Sequence, residues 1–176
     1  MHEELPPTYA IKFERRGFLA WRLTVRQALP LPIGRVFAFL GDPRNLSNIF
    51  PGWIAFRLLD PAQNLDVYRG AEFHYSLRWL GLKLRWHSRI TEYHPPGRFT
   101  DIQLAGPYRY WRHMHTFAAT PEGTLVGEEI YYRIPFAAAM MEKLINRQLA
   151  DIFAFRAVKA EEWAINVRKV ETAVDA

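Results

Sequence analysis

The sequence predicts an α+β fold: a curved antiparallel sheet of seven strands wrapped around one long C-terminal helix, with two short helices after the first strand. Three observations carry that reading. Apolar and polar residues alternate in short runs between Trp21 and Ile134. Proline and glycine separate the runs at Gly81, Pro95-Pro96-Gly97, Gly106-Pro107 and Pro121-Glu122-Gly123. After Pro135 the apolar spacing changes to three and four residues, and neither proline nor glycine recurs.

Each element follows in order. Trp21, Leu23, Val25 and Gln27 alternate with Arg22, Thr24 and Arg26, a half-buried strand that Pro30 and Pro32 end. Ile33, Val36, Phe37 and Leu40 have helical spacing, and Gly41 stops that helix. Asp42-Pro43 then supplies an N-cap and a first-turn proline for a short second helix through Ile49. Further strands are expected at Trp53 to Asp60, Ala71 to Leu80, Leu82 to His94, Phe99 to Ala105, Arg109 to Ala119 and Thr124 to Ile134. Met141, Leu144, Ile145, Leu149, Ile152 and Phe153 form one face of a helix reaching about Val167. The expected organisation is one domain over residues 19–168, with residues 1–18 and 169–176 loosely held.

Composition excludes several classes of function. The chain has 176 residues, enough for one domain, and 49% of them are hydrophobic. It has no cysteine, so disulfides, thiolate metal sites and cysteine nucleophiles are ruled out. No run resembles a signal peptide or a membrane span, so a cytoplasmic protein is expected. Of the +5 net charge, the stretch from Arg69 to Arg112 carries eight basic residues against three acids. That patch reads as a solvated outer sheet face; nucleic acid is not the expected partner, and an interaction module using the face is kept as an alternative. The sequence does not set the oligomeric state.

The most informative run is Tyr110-Trp111-Arg112-His113-Met114-His115-Thr116-Phe117. As a strand it puts Trp111, His113, His115 and Phe117 on one face. Two large aromatics beside two imidazoles suggest the wall of an apolar cavity with a few polar groups. Aromatics make up 15% of the chain, and large rings line cavities efficiently. Alternation places Phe73, Tyr75, Leu77 and Trp79 inward on one strand, Leu82, Leu84, Trp86, Ser88, Ile90 and Glu92 on the next, and Val126, Glu128, Ile130, Tyr132 and Ile134 on the last. For Phe99 to Ala105 two faces stay open. Thr100, Ile102 and Leu104 make the better core face, while Phe99, Asp101, Gln103 and Ala105 would bring Asp101 or Gln103 beside the histidines.

Several segments resemble the START/SRPBCC superfamily, whose helix-grip fold is shared with the birch-pollen allergens. Leu31 to Leu46, containing Asp42-Pro43-Arg44-Asn45-Leu46, looks like the family's opening, and Ile90 to Phe99 looks like its strand-turn-strand motif. Gly106-Pro107-Tyr108, Trp111, His113-Met114-His115-Thr116-Phe117 and Gly123-Thr124-Leu125-Val126 resemble a bacterial branch related to cyclase/dehydrase-like members. The resemblance spans about Ala20 to Phe155. It implies a helix-grip fold and an internal cavity, but its members include lipid carriers, receptors and cyclases, so it does not fix an activity.

The expected function is binding of a small hydrophobic molecule (lipid, polyketide-like, quinone or aromatic) between the sheet and the long helix. Its expected lining is Tyr75, Trp79, Trp86, Ser88, Gln103, Trp111, His113, His115, Glu128, Tyr132, Met141 and Ile145. The alternative is a cyclase or dehydratase using His113 or His115 as acid–base group, aided by Asp101. The pair also has a plain structural reading, as buried groups hydrogen-bonded at the wall. No cofactor and no metal is expected: two histidines two apart on a strand supply two ligands, and only Asp101 or Glu128 offers a third. His74, His87 and His94 read as surface residues, and Met140-Met141 as flanking a cavity mouth.

Overall fold

The computed structural model describes residues 9–61, 65–79 and 81–174. The strands are β1 (Tyr9–Gly17), β2 (Ala20–Leu29), β3 (Arg57–Leu58), β4 (Glu72–Trp79), β5 (Leu82–His94), β6 (Arg98–Ala105), β7 (Tyr110–Thr120) and β8 (Gly123–Arg133). They form one antiparallel sheet in the order β1-β2-β8-β7-β6-β5-β4-β3. Between β2 and β3 lie α1 (Ile33–Leu40), a 3-10 turn (Pro43–Asn45), α2 (Leu46–Ile49) and a second 3-10 turn (Gly52–Ile54). A 3-10 segment (Phe136–Met141) leads from β8 into α3 (Glu142–Val174), which packs against β1 and β2.

The α+β class and the long helix stand, and Asp42 caps as expected by accepting a hydrogen bond from the Arg44 N–H at 2.9 Å. The sheet has eight strands, not seven. The segment expected to be loose supplies β1, whose residues pair with β2 from Tyr9↔Gln27 to Gly17↔Ala20. Its alternation is masked in the sequence because Glu14-Arg15-Arg16 crowds charge into an edge strand, which is where exposed charge is favoured. Residues 1–8 lie outside the described residues. At the other end α3 runs past residue 168 to Val174.

The expected strand from Trp53 to Asp60 shrinks to Arg57–Leu58. Pro51 starts the 3-10 turn and Ala55 takes a left-handed conformation (φ 46°), so the apolar run never extends. Phe56 instead stacks on Phe50 at 4.7 Å. A bulge in β5 corrects a second expectation. Ile90 and Glu92 oppose the consecutive residues Asp101 and Thr100, leaving Thr91 as the extra residue. Glu92 therefore turns outward to Arg98 and Arg112, and Tyr93 packs inward against Phe37. Leu82, also expected inside, is exposed at the β4–β5 turn.

Candidate functional site: a histidine–carboxylate cluster in an apolar cavity

β7 sets His113 and His115 on the inner face, with ring centroids 3.8 Å apart and both side chains buried. The neighbouring strands furnish their partners by register. On β6, Asp101 lies opposite His113 and Phe99 opposite His115. The phase of β6 is thereby settled: Asp101 faces the cavity, and Phe99 stacks on His115 at 4.0 Å. On β8, Glu128 lies opposite His115.

The polar contacts form a connected cluster. Asp101 Oδ1 is 3.8 Å from His113 Nδ1 and 3.7 Å from His115 Nε2. Glu128 Oε2 is 2.9 Å from His113 Nε2 and 3.6 Å from His115 Nδ1. The 2.9 Å approach is out of line for a ring N–H hydrogen bond, so the buried His113 Nε2 stays unpartnered. From α3, Arg156 Nη2 donates to Glu128 Oε2 at 3.1 Å, while its Nε has no partner. The guanidinium also lies over Phe153 and Phe50, at 5.2 and 5.4 Å from the ring centroids.

Burial and charge set the protonation states. Burial, aided by the neighbouring His113, pushes the His115 imidazole down to about 4, against the pull of Asp101 and Glu128. His115 is therefore uncharged at neutral pH and keeps a free lone pair. Burial alone would raise the Glu128 carboxyl, but Arg156, His113 and His115 together hold it well below the usual carboxylate range. Burial raises the Tyr75 and Tyr108 phenols, which remain protonated donors.

The cluster opens into a cavity of about 240 Å³ between the sheet and α3. The floor is Phe73, Tyr75, Leu77 and Trp79 of β4 with Leu84, Trp86 and Ile90 of β5. The roof is Ile145, Leu149, Ile152 and Phe153 of α3, and Phe50, Phe56, Pro107, Tyr108 and Pro135 close the ends. Trp86 meets Trp111 edge to face at 5.1 Å, and Tyr108 packs on Trp111 at 4.8 Å. The volume lies just below the range of about 300–1,000 Å³ usual for small-molecule sites, and a mostly apolar wall with a few convergent polar groups is their usual make-up.

Of the residues expected at the site, Tyr75, Trp79, Trp86, Asp101, Trp111, His113, His115 and Ile145 line this cavity. Five do not. Glu128 stands behind the histidines, 2.9 Å from His113 Nε2 and 3.6 Å from His115 Nδ1, and outside the cavity lining. Gln103 holds the loop after β6, donating to the Tyr108 carbonyl at 2.7 Å and accepting from its N–H at 3.2 Å. Tyr132 is buried in the core and donates to Asn146 Oδ1 at 2.7 Å. Ser88 is buried beside Tyr75, its Oγ 3.5 Å from the phenol, and Met141 packs into the core below the helix start. Met140 is fully exposed. His74 and His87 do lie on the outer face, stacked at 4.2 Å, each paired with a carboxylate: Asp60 at 2.9 Å and Glu72 at 2.7 Å. His94 is exposed.

Sequence reasoning missed Arg156, Gln148, Tyr108, Phe50 and Phe56. Arg156 carried a signal. It falls three residues after Phe153 and seven after Leu149, on the apolar stripe of the helix, where a lone arginine needs a buried partner. Asp101, His113 and His115 also form a group whose donor atoms all lie within 4.8 Å of one another, close enough to hold a metal ion. Among the described residues no helix is long and apolar enough to cross a membrane.

Residues 29–154 match the family model described as "Polyketide cyclase / dehydrase and lipid transport". No curated protein matches the chain in sequence. Among solved structures, TTHA0849 from Thermus thermophilus superposes with a TM-score of 0.67 at 16% identity, covering 83% of this chain and 98% of that one. Protein Ms6760 from Mycobacterium smegmatis gives 0.66 at 16% identity, over 88% of this chain and 94% of that one. The di-domain ARO/CYC StfQ from the steffimycin biosynthetic pathway gives 0.68 at 15% identity, over 86% of this chain and 52% of that one. At these identities the likeness is one of fold.

Proposed function

The chain belongs to the polyketide cyclase/dehydrase and lipid transport family, and on that premise we propose that it binds a small, largely apolar and aromatic molecule between the sheet and α3. One observation carries the reading: the cavity wall is mostly aromatic and aliphatic, with few polar groups, chiefly the histidine–carboxylate cluster of β6 and β7 and Gln148 and Arg156 of α3, so a ligand would be held by its apolar body and oriented by a polar group. Trp79, Trp86 and Trp111 supply flat apolar surface. Asp101 and the uncharged His115 offer acceptors, and the protonated Tyr75 and Tyr108 offer donors, which suits a hydroxyl or carbonyl group.

The test is calorimetric titration with 2-naphthol, a flat bicyclic molecule with a single hydroxyl. The expected result is saturable one-to-one binding that His115→Ala weakens at least tenfold and that His74→Ala leaves unchanged. Absence of saturable binding, together with no compound recovered by solvent extraction and mass spectrometry, would overturn the reading.

A second reading is favoured by Asp101 lying 3.7 Å from His115 Nε2 at the cavity wall. A neutral imidazole beside a carboxylate can take a proton from carbon next to a carbonyl, the step that starts an aldol-type cyclisation or a dehydration. On that reading Asp101→Asn lowers kcat with little change in KM. On the binding reading it changes affinity alone.

A further inference from the structure

We propose that Asp101, His113 and His115 bind a divalent first-row metal ion, of which Zn²⁺ is the natural probe, with its open coordination positions facing the apolar cavity. The inference is separate from the apolar-ligand reading and does not rest on it.

Four observations lead there. The first is convergence. Asp101 Oδ1 is 3.8 Å from His113 Nδ1 and 3.7 Å from His115 Nε2. An ion about 2.0–2.2 Å from each ligand sets tetrahedral or octahedral donors roughly 3.0–3.5 Å apart. The three donor atoms all lie within 4.8 Å of one another, so the site closes on an ion by side-chain shifts of about an ångström.

The second is charge. Glu128 has Arg156 as its cation, at 3.1 Å. Asp101, with only 18% of its side chain exposed, has no lysine or arginine within ion-pair distance among the described residues. A carboxylate this buried needs a counter-charge, and the wall it faces offers two imidazoles instead. The uncancelled negative charge disfavours an anionic ligand and favours a cation.

The third is the shell behind the donors. His113 Nε2 is buried, unpartnered and 2.9 Å from the Glu128 carboxylate. Turned into line, that nitrogen would donate to Glu128, the hydrogen bond that fixes metal-binding histidines and leaves the other ring nitrogen for a cation. Arg156 holds that carboxylate in turn.

The fourth is access. Asp101, His113 and His115 all line the cavity, so three protein ligands leave positions open to a bound molecule. Closed structural sites lack that feature. Two imidazoles and one carboxylate in a chain without cysteine suit Zn²⁺ or Fe²⁺ rather than soft or all-oxygen ions. The sequence led to no metal being expected, because the strand pair supplies two ligands and only Asp101 or Glu128 offered a third. The inward turn of Asp101 supplies it.

The experiment uses the full chain, stripped with EDTA and dialysed. ZnCl₂ is titrated by calorimetry and CoCl₂ by visible absorption, whose ligand-field bands report coordination geometry. One equivalent is expected to bind, with the cobalt bands of a site of low coordination number. Asp101→Asn, nearly isosteric, and His115→Gln should each weaken binding at least tenfold while circular dichroism confirms the fold. The outer pair His74 and His87, with Asp60 and Glu72, is the competing site, so a His74→Ala/His87→Ala variant should keep the affinity. The proposal is overturned if the wild-type protein takes up no stoichiometric ion. It is equally overturned if binding survives Asp101→Asn, or disappears with the outer pair.

Discussion

The two sides of the sheet are built differently under the same helix. On the β1-β2-β8 side the inward residues pack solidly: Leu23 and Ile130 have 0% exposure, Tyr132 and Ile134 1%. α3 is fastened here, with Gln27 Nε2 donating to the Ala157 carbonyl at 2.7 Å and Trp21 Nε1 to Glu142 at 2.7 Å. On the β4-β5-β6 side the inward residues are mostly large, and several remain half-buried: Tyr75, Leu77, Trp79, Leu84 and Trp86. These line the cavity, and no residue of β2 or β8 does. Leu23, Val25 and Ile130 pack closely under the helix on the first side, whereas the rings of Tyr75, Trp79 and Trp86 line open space on the second. β7 is the border, and its two histidines sit where packed core gives way to open space. The division teaches that the helix stabilises one side of the sheet and roofs the other.

One of the two largest effects should come at the border. Arg156→Met leaves Glu128 buried without its cation and should cost about 3–5 kcal/mol in chemical denaturation. The double change Arg156→Met/Glu128→Leu should recover most of that loss, and a double variant no more stable than the single one would remove the pair from the account.

The sharpest comparison matches the same chemistry on the two sides. Leu23→Ala should cost about 3–5 kcal/mol, because a closed core cannot fill the void. Leu77→Ala faces existing space and should cost less by at least ~1 kcal/mol. Equal losses would erase the distinction. A smaller effect tests the fastening: Gln27→Met, which removes the buried bond to Ala157, should cost about 1 kcal/mol.

Much of this was legible in the sequence. Period-two alternation placed β4, β7 and β8 with their faces, and the shift of period after Pro135 placed α3. The histidine pair was visible because polar residues on an aromatic face break the pattern. What stayed hidden depended on register. A one-residue bulge at Thr91 reverses Glu92 and Tyr93, and no local preference announces it. The inward turn of Asp101 likewise follows from pairing with β7, since Thr100, Ile102 and Leu104 read as the better core face. Arg156 reaches the cluster across 28 residues of chain, a contact only the tertiary fold creates.

The most direct measurement is a crystal structure of the protein soaked with 6-bromo-2-naphthol, locating the bromine by anomalous scattering. One bromine peak is expected between Trp79 and Trp86, with the naphthol oxygen within hydrogen-bond distance of the Asp101–His113–His115 cluster. A bromine peak on the outer face, beneath the packed β2-β8 side, or nowhere in the molecule would contradict that placement.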